Sequence, residues 1–479
     1  MATTTSIMWF RRDLRVRDLP ALVEAAKADR LVPLFVFDDR LLTKGRFPSG
    51  VRTDFMLGCL RELDGALKER GSGLVVRHGR PEDVLPELAQ EVGAQEVRWT
   101  GDVSPWSRER DGRVADALEA IDVATHAMPG ACVVDDPAAI RTKQGKPYTV
   151  FSPFARSWVK EERRTEHRAP KELPPLPAKL RKGSLPSLAD LGLSSDVEGP
   201  FVPGEEAARE RLDAFLRTGI ENYADRRDAP KGGSSQLSAY LRWGCISPLS
   251  LDLRVANSDA RGAEDYRTEI AWRDFYSAVL IHFPEVTRHE FVERYRGLEW
   301  TDAKAGAGAE HLEAWKRGET GYPLVDAGMR QLAREGWMHN RVRMVVGSFL
   351  TKDLHLDWRE GEAWFMERLI DGDMAANNGG WQWISSVGTD PAPYFQRLFN
   401  PVTQQEKFDG DGEYVRRYVP ELADVPAKKL SKPWTMSDEE QERAGCRIGR
   451  DYPGPIVDHA EERKLTVERY RAVAASSSD

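Results

Sequence analysis

Cysteine is scarce. Cys59, Cys132, Cys245 and Cys446 are the only four in 479 residues, and none has a partner at zinc-site or disulfide-frame spacing. That usage leads us to expect a reduced, cytoplasmic protein. No apolar run is long enough to span a membrane. The opening Met-Ala-Thr-Thr-Thr-Ser has no basic stretch before an apolar one, so no signal peptide is expected. A positive surplus is missing too, since the formal net charge is -8. Contact with nucleic acid would therefore have to use a local basic patch on an acidic protein. No G-x-G-x-x-G follows the first strand-like run, where Arg11-Arg-Asp-Leu-Arg15 stands instead. No P-loop and no Ser-His-Asp pattern is found either, which argues against a standard dinucleotide site, P-loop phosphoryl transfer and serine hydrolysis. His339 and His355 have no companions at metal-ligand spacing. We read them as structural or hydrogen-bonding residues and expect no metal.

The length calls for more than one core. Residues 1–130 alternate β-rich runs (Ile7–Phe10, Val32–Phe37, Leu74–Arg77, Glu96–Thr100, Val123–Met128) with helical patterns at Val51–Arg70, Glu82–Glu91 and Arg108–Ala120. This predicts an α/β domain with a doubly wound, mostly parallel sheet. Such sheets bind ligands at their strand ends, where Arg52, Asp102 and Phe35 could line a crevice, or could equally be surface charges and a core ring. Residues 131–204, rich in proline from Pro170 to Pro203, read as an extended interdomain linker. From residue 205 to 479 the patterns are helical, and ten of the fourteen tryptophans lie between Trp243 and Trp434. That density suggests an aromatic-lined cofactor or base site.

Four segments carry chemistry. Tyr223-Ala-Asp-Arg-Arg227 precedes Gly232-Gly-Ser-Ser-Gln-Leu-Ser238, where two glycines and hydroxyl residues open an apolar run. This describes a phosphate cradle at a helix start, or an ordinary N-cap. Glu269, Trp272 and Arg273 share a helical face at i, i+3 and i+4 and could hydrogen-bond and stack on a base; an amphipathic helix with a surface ion pair has the same pattern. In Trp337-Met-His-Asn-Arg-Val-Arg-Met344, Arg341 and Arg343 point in nearly opposite directions, so one can turn inward to an acid, with Asp371 a candidate. The fourth is Asp371-Gly-Asp-Met-Ala-Ala-Asn-Asn-Gly-Gly-Trp-Gln-Trp383. Its acids, amides, glycines and indoles suit a wall around a large, flat, polar-edged ligand.

Taken in order, these segments resemble the photolyase/cryptochrome flavoprotein family. The resemblance runs from Trp9-Phe-Arg-Arg-Asp-Leu-Arg15 through Thr320-Gly-Tyr-Pro-Leu-Val-Asp-Ala-Gly-Met-Arg330, Trp337–Met344, Asp357-Trp-Arg-Glu-Gly361 and Asp371–Trp383 to Tyr452-Pro-Gly-Pro-Ile-Val-Asp-His459. The chain looks most like a class I photolyase for cyclobutane pyrimidine dimers. The resemblance implies an α/β antenna domain and an all-α domain that holds FAD. Tyr223, Ser234, Ser235, Gln236, Leu237 and Ser238 would contact its phosphates and ribityl chain, with Arg273, Arg343, Asp371, Gly372 and Asp373 also on the cofactor. Arg343 would pair with Asp371, and Asn377 would face the central-ring nitrogen. Glu269 would hydrogen-bond a flipped dimer between Trp272 and Trp383, with Asn340, Arg341 and Met344 at the mouth and Arg227 and Gln404 on DNA. The implied reaction is light-driven: excited reduced FAD gives an electron to the dimer, the ring splits, and the electron returns. Trp381 and Trp358 match the proximal and middle members of a tryptophan chain that reduces the flavin. Trp300 is the expected distal member, and Trp315 is the alternative.

The (6-4) photolyases carry a histidine pair where this chain has His339-Asn340, and the chain ends soon after Tyr470. Both favour dimer repair over a (6-4) photolyase or a cryptochrome-like photoreceptor. The partner implied is UV-damaged DNA, single- or double-stranded, bound by a monomer away from any membrane. Trp99-Thr-Gly-Asp-Val-Ser-Pro-Trp-Ser-Arg-Glu-Arg110 resembles deazaflavin-binding members. An 8-hydroxy-deazaflavin antenna on Arg52, Asp102 and Arg242 is therefore expected over methenyltetrahydrofolate.

Overall fold

The computed structural model describes residues 3–476. Five parallel strands, β1 (Thr5–Phe10), β2 (Arg30–Phe37), β3 (Val75–His78), β4 (Glu96–Thr100) and β5 (Ala124–Met128), form one sheet in the order β3-β2-β1-β4-β5. Helices Gly50–Lys68, Pro81–Val92 and Pro105–Glu119 make the crossovers, within one to three residues of the expected bounds. Parallel pairing leaves the central strands β1 and β2 buried on both sides, as their apolar runs require, while the edge strand β5 has no fully buried residue. Strand order reverses between β1 and β4, so the residues after them, Arg11-Arg12 and Gly101-Asp102, meet at one crevice.

One face of the sheet, with Ile7, Val32 and Leu85, makes a core of its own. The other face, with Phe10, Phe35 and Phe37, continues without a break into Trp158, Leu237, Tyr240 and Phe275 of the helical region. Phe35 thus belongs to this core, edge-on to Phe37 at 5.0 Å, and does not line a crevice. A further core joins Leu324, Val346, Phe349, Trp358 and Trp381.

The 131–204 segment is not uniform. Helix Phe151–Trp158 buries Phe151, Phe154 and Trp158. The Trp158 indole donates to Asp274 at 2.9 Å on the long helix Ala263–His282. Beyond it the chain is extended and lies along the edge strand, where Val76 N donates to Lys182 O at 2.6 Å. Among the described residues no helix is long and apolar enough to cross a membrane.

Candidate active site

Helix Met374–Ile384 is the centre of the site. One of its two glycines serves packing: a Cβ on Gly379 would enter the Tyr276 ring of helix Ala263–His282, so only glycine lets the two helices close there. Asp373 caps the N-terminus, its Oδ1 accepting from Ala375 N (3.0 Å) and Ala376 N (3.2 Å). The other oxygen meets Arg12 Nη1 at 2.9 Å, and Arg12 also reaches Asp102 at 3.2 Å. Burial pushes the Asp373 carboxyl up, but Arg12, Arg242 and Arg273 outweigh it and hold it below the usual range. One arginine thus ties the switch point of the sheet to the helical domain.

The inward arginine is Arg343. Its Nη2 meets Asp371 Oδ2 at 2.8 Å and its Nε donates to Met338 O at 2.8 Å. Arg341 turns outward to Asp228 (2.8 Å), with Phe408 beneath its guanidinium at 4.6 Å. His339 sets this division. Its Nδ1 accepts from Arg341 N at 3.2 Å and so caps helix Asn340–Ser348. Asn377 donates from Nδ2 to Glu362 O at 3.0 Å, which leaves its carbonyl oxygen as an acceptor. Next to it, Asn378 and Gln382 are spent on structure, both donating to Val286 O.

The candidate phosphate cradle is a loop followed by a short helix, Ser238–Trp243, with no side-chain cap. Gly233 is held at φ +92°, where a Cβ would run into the Arg226 carbonyl. Ser235 Oγ lies 2.7 Å from the Tyr266 hydroxyl, and Tyr266 packs edge-on to Tyr223 at 5.0 Å. Gln236 accepts from Arg211 at 2.5 Å, and Ser238 accepts from the Trp337 indole at 3.2 Å.

A flavin fits this donor set. Asp371 Oδ1, His339 Nε2, Arg242 Nη1 and Trp243 Nε1 are all buried without a hydrogen-bond partner. Buried polar atoms are normally satisfied. Two of these four, Asp371 and His339, sit on or within the segments that the resemblance assigns to the cofactor, where a polar-edged ligand would complete them.

On the outer side, Glu269 lies 3.3 Å from Arg227, and burial pushes its carboxyl up. Trp272 stacks on Phe151 at 3.6 Å and 7°, while Arg273 leaves that face to donate to Ala131 O at 2.7 Å. The Phe151 amide donates to Asp390, which also accepts from the Trp383 indole at 3.3 Å. Trp272, Phe151, Asp390 and Trp383 thus form a connected rim. Arg397, 3.8 Å over the Trp383 ring, completes it. Phe151, Asp390 and Arg397 escaped the sequence reading because no local pattern links them to either tryptophan. Asn340 is exposed near Met344, and the Gln404 carbonyl is buried and unpartnered.

Trp381 is buried against Phe365 (5.0 Å) and Trp315 (6.2 Å). Trp358 is buried, while Trp300 is partly exposed. Thr301 bridges to Leu356 and donates to His355 O at 2.9 Å, which brings Trp300 beside the start of helix Trp358–Arg368. Trp315 is fully enclosed, its indole donating to Val346 O.

The three antenna candidates are committed elsewhere. Arg52 donates to Phe47 O at 2.7 Å and to Met366 O, Arg242 donates to Gly372 O at 2.6 Å, and Asp102 pairs with Arg12. Asp102 and Arg242 line a cavity of about 20 Å³ at the switch point. A cleft of about 670 Å³ lies away from all of these residues, between Asp39, His78 and the linker at Asp190.

Two family descriptions match the chain: DNA photolyase over residues 6–178 and the FAD binding domain of DNA photolyase over residues 266–472. A deoxyribodipyrimidine photo-lyase of Halobacterium salinarum is 41% identical over 97% of this chain and 98% of its own. Among solved structures, a class III photolyase from Agrobacterium tumefaciens is 34% identical with a TM-score of 0.91, covering 99% of this chain and 98% of its own. A Synechocystis cryptochrome is 28% identical with a TM-score of 0.89, covering 98% of this chain and all of its own.

Proposed function

The chain belongs to the DNA photolyase family, and from that premise we propose that it is a light-dependent lyase that splits cyclobutane pyrimidine dimers in UV-damaged DNA, acting as a monomer. Bound and reduced, FAD would supply the photoexcited electron that opens the cyclobutane ring and would take it back afterwards.

This chain's residues supply binding and geometry. Asp371, Asn377 and the 234–238 loop hold the cofactor's polar edges, and Arg343 holds Asp371 in place. Glu269 offers a hydrogen-bonding carboxyl at the pocket mouth, held beside Arg227 at 3.3 Å. Trp272 and Trp383 offer flat faces to a flipped dimer, which pairs and stacks badly and so costs little to extrude. Trp381, Trp358 and Trp300 carry electrons inward from the surface; the partial exposure of Trp300 and the enclosure of Trp315 support that order.

The observation that carries the proposal is the two-sidedness of helix Met374–Ile384. The Arg343–Asp371 pair and the free Asn377 carbonyl lie on the cofactor side, and an aromatic rim of Trp272, Phe151 and Trp383 lies on the other. The test is to purify the protein, record its flavin spectrum and illuminate it with dimer-containing DNA under reducing conditions. Light-dependent dimer loss is expected. Flavin without dimer loss would favour a cryptochrome-like photoreceptor instead.

For the antenna we keep the 8-hydroxy-deazaflavin reading, supported by Asp102 and Arg242 lining one cavity at the strand ends. At about 20 Å³ the cavity admits a tricyclic ring only if Arg12 or Arg242 swings out. Absorption spectra of protein made in deazaflavin-producing and non-producing hosts test it.

A further inference from the structure

Trp358 stands among charges. Its indole N–H donates to Glu290 Oε1 at 3.2 Å. The guanidinium carbon of Arg359 lies 4.5 Å from its ring centroid. Trp358 is fully buried and Glu290 is 4% exposed. Glu290 grips Arg359 through both oxygens, each at 3.0 Å, and the oxygen nearer the indole is shared between the two donors. Arg359 is answered a second time by Asp357 at 3.0 Å. The cluster therefore holds two carboxylates against one guanidinium, with the guanidinium over the ring and the Glu290 carboxylate on the indole N–H.

Trp381 lies in different surroundings. Its ring neighbours are Phe365 and Trp315, and no charged group stacks on it among the described residues. The guanidinium over the Trp358 ring opposes a positive charge there, and the Glu290 carboxylate on the indole N–H offsets that cost, both effects being magnified in the low-dielectric interior. Burial pushes the Glu290 carboxyl up, but the hydrogen bonds and charge of Arg359 outweigh it and hold the carboxyl below its usual range. Glu290 is consequently an anion and a poor base.

We propose that Glu290 is a positioning residue for the electron path: it holds the Trp358 indole by its N–H and stabilises the positive charge left when Trp358 gives an electron to Trp381. This rests on reading Trp381 and Trp358 as consecutive members of that path. In the step, one electron leaves the Trp358 ring and refills the vacancy on Trp381. The indole N–H bond stays intact and Glu290 stays a carboxylate. Trp358 regains neutrality when an electron arrives from Trp300, itself re-reduced by an external thiol.

The test is transient absorption on the flavin-loaded full chain, comparing wild type, E290Q and W358F at matched flavin content. E290Q keeps an oxygen acceptor and loses the charge, and Arg359 remains anchored by Asp357 and Arg288 O. Transfer from Trp381 to Trp358 is expected to slow on the order of tenfold in E290Q. In wild type the Trp358 radical is expected to keep the visible spectrum of a protonated indole cation. An unchanged rate in E290Q, or a neutral indolyl radical on Trp358 in wild type, would overturn the proposal. If W358F blocks photoreduction while E290Q does not slow it, only the role of Glu290 fails. If W358F changes nothing, the tryptophan path itself fails and this proposal with it. Ultraviolet resonance Raman of the flavin-free chain, taken as wild type minus W358F, is a second measurement that needs no E290Q protein. A hydrogen-bonded indole N–H supports the assignment, and a free one overturns it.

Discussion

Trp381 and Trp383 are two residues apart on helix Met374–Ile384, about 200° around it, and their surroundings differ in kind. Trp381 is 3% exposed, wedged against Phe365 and beneath Gly361, where a Cβ would enter its ring. Trp383 is half-buried, with its N–H on Asp390 and Arg397 across its face. The inner side is dry and apolar, suited to passing an electron between rings. The outer side is framed by charge and open to a ligand. A single turn of helix thus separates how the cofactor would be reduced from what it would act on.

The largest effect should come from attacking each side alone. Trp381→Phe is expected to abolish photoreduction while chemically reduced protein still repairs dimers; Trp383→Ala should do the reverse. Both are read by flavin bleaching under light and by dimer loss from DNA. If either variant loses both activities in equal measure, the division of the helix is wrong. Asp371→Ala should disturb both sides, because it strands Arg343 and removes a buried acceptor. Breaking such a pair costs about 3–5 kcal/mol. It should appear as a lower urea midpoint together with lost flavin. Glu269→Gln should weaken lesion binding by about 1.4 kcal/mol, roughly tenfold. The flavin spectrum should not change, and a variant that loses its flavin would move Glu269 to the cofactor side.

The smallest effect is the response to pH, because opposing groups share one window. Burial pushes His339 and His355 down to about 4, so the unfolded chain binds protons that the fold refuses. Their contribution is present above about 6.5 and lost as pH falls through about 4. Burial pushes Asp353 up to about 6, so its contribution is full at low pH and lost as pH rises through about 6. His339→Asn should make the urea midpoint rise less with pH between about 4 and 6.5, and Asp353→Asn should make it rise more. The opposite pattern would mean that these buried groups are solvated.

Much of this was legible in the chain. The central strands are legible because buried parallel strands are nearly continuous apolar runs, as in Ile7–Phe10 and Val32–Phe37; Glu96–Thr100 shows instead through its β-branched and aromatic residues, Val97, Trp99 and Thr100. The Arg343–Asp371 pair was legible because two arginines two apart on a helix cannot both face inward, and an inward one needs an acid. Other features could not be read. Phe151 lies in a stretch that looked like linker, yet it is the platform under Trp272. Arg12 sits in a run of charges after the first strand, and nothing local says that it spans the domain interface to Asp373. Nothing local to Arg52 and Asp102 says that Arg52 reaches the Phe47 carbonyl or that Asp102 pairs with Arg12.

By itself, then, the sequence determined the type and order of the elements, the family, and the helix on which the chemistry converges. Those depend on periodicity, capping and ordered motifs, which are local. Tertiary structure alone decided which of two neighbouring tryptophans lies dry and which lies framed by charge. It also decided that an unremarked glutamate from an irregular stretch would meet the indole of Trp358. The reason is physical. Solvation, dielectric and hydrogen-bond partners belong to the space around a residue, and that space is filled by chain up to hundreds of positions away.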